Sequence, residues 1–172
     1  MPIYALGDLE PRIHPEAFVH PEAVIIGDVV IGALSSIWPC AVLRGDSGQV
    51  IIGEQTSIQD GTVIHCIPTR PTSVGNRCVV GHIVHLEGCT IEDDVLVGNG
   101  SVVLHNAIVS SHSLVGSNAV VGNNMVVPSG AMALGVPAKM REGVIQPGQF
   151  DMPVQSYVAQ GRRYRAELRR IG

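Results

Sequence analysis

A six-residue period runs through most of this chain and limits its fold more than any other feature. From residue 91 the sequence divides into IEDDVL, VGNGSV, VLHNAI, VSSHSL, VGSNAV, VGNNMV and VPSGAM. Ile91, Val97, Val103, Val109, Val115, Val121 and Val127 lead these blocks, and the fifth place is small or aliphatic throughout. The same frame extends upstream through VGHIVH, VGNRCV, IQDGTV, IGEQTS, LRGDSG, IWPCAV and IGALSS, and loosens to IHPEAF and VHPEAV. One block, LEGCT after residue 85, is a residue short. Six matches neither the 3.6 of a helix nor the alternation of a plain strand. It suits a solenoid with three flat faces, each a short strand and a turn, so that about eighteen residues complete one coil. First and fifth places then point inward and stack on their equivalents one coil away. Third and fourth places, often Gly-Asn or Asp-Gly, form corners that need positive φ.

The composition agrees. Hydrophobic residues make up 45% of the 172, but aromatics only 3%, so the core must be aliphatic. Repeats of this form resemble the left-handed parallel β-helix family, which includes acyltransferases and γ-class carbonic anhydrases. That resemblance implies an all-β, left-handed prism, a homotrimer and a closing C-terminal helix. Residues 1–140 are read as the β-helix domain, and 141–172 as a connector and helix packed on it. LGVPAKMREGVIQPGQFD is broken by Pro and Gly and reads as connector. Val154, Tyr157, Val158, Tyr164 and Leu168 then form an apolar stripe on a helix from about 152 to 171, with its arginines outward.

A net charge of −4 gives no overall footprint for nucleic acid. No apolar run is long enough to span a bilayer, and no secretory signal is visible, so no membrane partner and a cytoplasmic location are expected. Cys40, Cys66, Cys78 and Cys89 lack CxxC spacing and read as reduced thiols.

The frame also places the polar residues. His65 and Glu87 both hold the second place of their blocks, one coil apart. Their side chains should stack on one outer face at about 5 Å. His82 falls at a corner, where it can reach a neighbouring subunit. His85 lies two residues before Glu87 on the same outward side. His65 and Glu87 from one chain with His82 from the next supply three N/O ligands and an open position, the pattern of a catalytic zinc or iron site. Cys66 and Cys89 read as core thiols and His105 as a corner or interface residue.

Two stretches narrow the resemblance. IWPCAVLRGDSGQVIIGEQTSIQDGTVIH and VGHIVHLEGCTI are similar to the R-x-D, Q-D-G-x-x-x-H and G-H-x-x-x-x-H-G-C motifs of γ-class carbonic anhydrases and their bacterial homologues. The likeness implies that His65 and His82 ligate a metal, Zn2+ or else Fe2+ or Co2+. It implies that Arg44, Asp46 and Asp60 form ion pairs at the interface, and that Gln59 orients the metal-activated water. The implied reaction is reversible hydration of CO2 to bicarbonate. The motif's third ligand is His, whereas this chain has Glu87; a carboxylate is also a competent ligand, and His85 is the alternative. The other functions open to such a chain are a trimeric scaffold or small-ligand binder, and a CoA-dependent hexapeptide acyltransferase. The segment 67–73 contains no histidine of the kind such acyltransferases carry on a loop.

Overall fold

Strand pairing turns the sequence period into columns of side chains. Leu43, Ile64, Leu86, Val103 and Val121 are register partners in successive coils. So are Ile37, Ile58, Val80, Val97, Val115 and Ala133 on a second face. Ile31, Ile52, Val74, Ile91, Val109 and Val127 form the third column. Every one of these side chains is essentially inaccessible to water. Each Val, Leu or Ile among them contributes about 1.5–3 kcal/mol of apolar burial that a single coil could not secure alone. The computed structural model describes residues 2–172, and the chain forms a left-handed parallel β-helix with one C-terminal helix.

The prism has three faces. The site face carries Val63–His65, His85–Glu87, Val102–Val103 and Val120–Val121. The helix face carries Ser36–Ile37, Ser57–Ile58, Val79–Val80 and Leu96–Val97. The third face carries Thr72–Val74, Thr90–Ile91 and Ile108–Val109. Two long strands, Val24–Ile31 and Val42–Ile52, pair with each other and run round the corner from site face to third face. Gly45 lies at that bend; a Cβ there would sit 2.3 Å from the Asp28 carbonyl oxygen, so no other residue fits.

Corner geometry is more specific than the sequence suggests. Among the described non-glycine residues positive φ is confined to the fourth place, where it is adopted even by Leu34, Cys40, Gln55, Arg77 and Ile83. Coil stacking therefore overrides residue preference at these turns. At the fifth place, Thr56, Thr62 and Thr72 are buried but satisfied. Thr62 Oγ donates to the Gly81 carbonyl and accepts from the Val84 amide. Thr72 Oγ donates to the His65 carbonyl and accepts from the Gly88 amide. Each hydroxyl thus ties the corner of one coil to the next.

The helix spans Asp151–Glu167 and packs on the helix face through Val154, Val158 and Gly161. Gly161 does not interrupt it: its bare Cα faces the Cβ atoms of Phe18 and Ser36. Trp38 and Tyr164, 5.0 Å apart, and Tyr157 complete an aromatic seam. The helix stops before Leu168, which is extended and about half exposed. The segment read as connector is partly ordered as strand Lys139–Arg141, which pairs antiparallel with Met132–Leu134 and closes the last coil. Among the described residues no helix is long and apolar enough to cross a membrane.

Candidate functional site

His65 is held from both sides. Its register partners are Arg44 in the coil before and Glu87 in the coil after. Nδ1 lies 2.8 Å from Glu87 Oε1, and Nε2 lies 2.8 Å from Asp46 Oδ1. Arg44 in turn pairs with the other Asp46 oxygen. The bend at Gly45 is what turns Asp46 toward the ring, and the Thr72 hydroxyl fixes the backbone of His65 from behind. All four side chains are partly buried, with His65 the least exposed.

The electrostatics follow from these contacts. Burial works against the Asp46 carboxylate, but hydrogen bonds from His65 and Arg44 outweigh it and hold the carboxyl at about 2. For Glu87, the His65 hydrogen bond dominates over burial, His105 and His85 add to it, and the carboxyl lies below its ordinary value. With both nitrogens facing carboxylate oxygens, an imidazolium can donate twice. A neutral ring must leave one nitrogen confronting an oxygen lone pair.

The hexad frame sets His85 and His105 apart from Glu87, and here the structure differs. His85 Nε2 and His105 Nε2 lie 3.4 and 3.3 Å from the same oxygen, Glu87 Oε2. His105 Nε2 is buried without a hydrogen bond despite this approach. The short block LEGCT is the cause: it makes Gly88 a corner with φ +60° and brings His105 beneath Glu87. The loop after His65 does not project freely. Ile67 and Arg70 bridge to each other, and Arg70 reaches down to Asn106 at 3.0 Å. Cys66 is buried as expected, yet its Sγ lies within 4.8 Å of ligand atoms of Asp46 and His65.

His82 is not brought to His65 within one chain. It lies at the corner between helix face and site face, whereas His65 and Glu87 sit at the opposite edge of the site face. Its ring Nδ1 is 3.0 Å from Asp60 Oδ2. Its amide donates to Asn99 Oδ1, which occupies the space a Cβ on Gly81 would need. His82 and Gln59 line one groove of about 370 Å³ with Asn99 and Tyr157. Burial and the nearby charge of Asp60 push the Tyr157 hydroxyl up. Hexad spacing carries no signal for this contribution from the helix.

The sequence-predicted residues thus divide into two groups. His65, Glu87, Asp46 and Arg44 gather at one edge of a face, and His82, Gln59 and Asp60 at the other. Between them Val63, Val102 and Val120 share one outward column with His85, and Ile83 stands 72% exposed at the His82 corner.

The bacterial transferase hexapeptide (six repeats) family matches residues 10–45. Carnitine operon protein CaiE of Escherichia coli K12 is 46% identical over 108 residues, covering 63% of this chain and 55% of that protein. The match therefore spans just over half the length of that relative. A hexapeptide transferase family protein from Anaplasma phagocytophilum has a solved structure with a TM-score of 0.89, at 32% identity over 95% of this chain and 98% of the other. The product of the BC4754 gene of Bacillus cereus superposes with a TM-score of 0.92, at 31% identity over 96% and 98%.

Proposed function

The chain belongs to the hexapeptide-repeat family, and on that premise we propose that it is a trimeric γ-carbonic anhydrase-like metalloprotein whose site is shared between copies. One observation carries this reading. The residues that resemble a metal site are split between the two edges of a single apolar face. A head-to-tail ring of three copies would bury that face and bring one edge of each prism to the other edge of its neighbour.

The donor chemistry fits a divalent cation. Asp46 and Glu87 bring two carboxylates against one guanidinium, and His65 stands between them with no donor left over if its ring is neutral. A cation removes that conflict. His65 and Glu87, with His82 of a second copy, would hold it, with Zn2+ the first candidate and Fe2+ or Co2+ also suited to the set. When bound, the metal would supply the Lewis acidity that makes water nucleophilic near neutral pH. Asp46, braced by Arg44, orients the His65 ring. Asp60 orients the His82 ring from the other side. Gln59 and Tyr157 shape the groove where CO2 enters and bicarbonate leaves.

Protein purified without a histidine tag is the test. It should hold divalent metal and hydrate CO2, and His65→Ala and His82→Ala should each lose both properties. Full metal content in either variant contradicts the shared site. Metal without hydration points to the scaffold or ligand-binding role. The transferase name of a relative favours a second reading, CoA-dependent acyl transfer. Acetyl-CoA binding by calorimetry, with no metal bound, would support it.

A further inference from the structure

The groove beside His82 offers more than CO2 can use. Its volume of about 370 Å³ equals roughly a dozen waters at ~30 Å³ each, and pockets for organic ligands begin at about 300 Å³. Gln59 is only 4% exposed and lines this groove. Among the described residues its side-chain amide makes no hydrogen bond within the chain. Buried amides are normally paired, so one left open toward a groove points to a ligand.

Coil geometry creates the space. Gln59 holds a second place, and the equivalent positions in the next two coils are Gly81 and Gly98. A Cβ on Gly81 would strike Asn99 Oδ1 at 2.3 Å, and one on Gly98 would strike the Ser117 amide nitrogen at 2.6 Å. Close approach of the coils demands glycine at both, and the floor beside Gln59 is left bare. The His82 amide donates to Asn99 Oδ1 at 3.0 Å, which leaves Asn99 Nδ2 free to donate elsewhere. Leu96, Pro153 and the Tyr157 ring supply an apolar wall.

The chemistry selects an uncharged ligand. Among the described residues no lysine or arginine lines the groove, and His82 is already paired with Asp60 at 3.0 Å. An anion would lose its hydration without gaining a counter-charge. A side-chain amide presents a donor beside an acceptor, and a second amide is the group that matches both at once.

We propose that this groove is a binding site for a small primary carboxamide, whose amide pairs with that of Gln59, whose carbonyl oxygen also accepts from Asn99, and whose alkyl part lies along Leu96 and Pro153. The site goes beyond the metal centre proposed above, since every residue comes from one chain and no cation is required.

The experiment uses untagged, chelator-stripped protein with butyramide as the probe and butyrate as its anionic counterpart, followed by saturation-transfer NMR and calorimetric titration. Butyramide should bind saturably, and butyrate at least about tenfold more weakly. Asn99→Asp keeps the acceptor for the His82 amide but removes the donor, and should weaken butyramide about tenfold. Gln59→Met keeps the length of the side chain without its amide and should abolish saturable binding. No saturable binding by the folded wild type overturns the site. So do equal affinities for the two probes, or an unchanged affinity in either variant once circular dichroism shows it folded. Metal uptake that depends on His65 and His82, in protein that ignores butyramide, removes the amide site and leaves the shared metal site standing. Butyramide binding in protein that takes up no metal does the reverse.

Discussion

Ile83 offers a perturbation whose effects on folding and on assembly should have opposite signs. It adopts φ 58° and is 72% exposed, with its Cγ1 near Gly61. The left-handed region costs a β-branched residue about 1–2 kcal/mol, whereas Asn enters it readily. Asn already stands at the equivalent corners Asn106, Asn118 and Asn124. Ile83→Asn should therefore stabilise the isolated chain by roughly 1 kcal/mol. The same change removes an apolar side chain from the face that meets a neighbour. Complete burial of an isoleucine is worth about 1.5–3 kcal/mol, and most of the side chain is available, so each interface should lose about 1–2 kcal/mol. A three-fold ring contains this contact three times, which sums to about 3–6 kcal/mol, or roughly 10²–10⁴-fold in the assembly constant. Sedimentation equilibrium measures assembly, and urea denaturation under dissociating conditions measures the chain. If Ile83→Asn leaves assembly unchanged, the apolar site face is not the interface. If it also destabilises the chain, the corner is not strained.

The same contacts give other expected outcomes. Thr62→Val strands the Gly81 carbonyl and Val84 amide and should cost about 1–3 kcal/mol by chemical denaturation, although a methyl replaces the hydroxyl at nearly equal volume. Leu86→Ala opens a cavity directly behind the site in a fully buried column and should cost about 2–5 kcal/mol. In the Asp46 carboxyl the folded value is depressed from 3.8 to about 2, so its contribution to stability is present above pH 3.8 and is lost as pH falls through about 2. With chelator present, the stability gap between wild type and Asp46→Asn should therefore narrow between pH 5 and pH 2. A gap that widens toward acid would reverse the assignment.

The parts of the molecule that repeat are readable in the sequence, and the parts that interrupt the repeat are not. Inward first places give the three columns, and the shared second place of His65 and Glu87 gives their stacking, because parallel register preserves position within the hexad. Asp46 lies in LRGDSGQV, where three extra residues break the frame and the strand simply continues round the bend. Its contact with His65 depends on backbone curvature at Gly45, which no period encodes. One shortened block is enough to misplace His105. The groove beside His82 depends on where the helix docks, and that is set by Trp38, Phe18 and Gly161, long-range contacts outside the hexad pattern. The overshoot to residue 171 is of a different kind: the spacing of Leu168 fits a stripe, but its backbone is already extended.

Mixed assemblies offer the most direct test of a site divided between two copies. His65→Ala and His82→Ala chains would be unfolded together in equal amounts, refolded and assayed for metal. Each variant alone should hold none. In a randomly mixed ring, about one quarter of the interfaces pair an intact His65 with an intact His82, so about a quarter of the full metal content should return. No recovery, in mixtures shown to have exchanged chains, would mean that the two edges of the site face never meet around a cation.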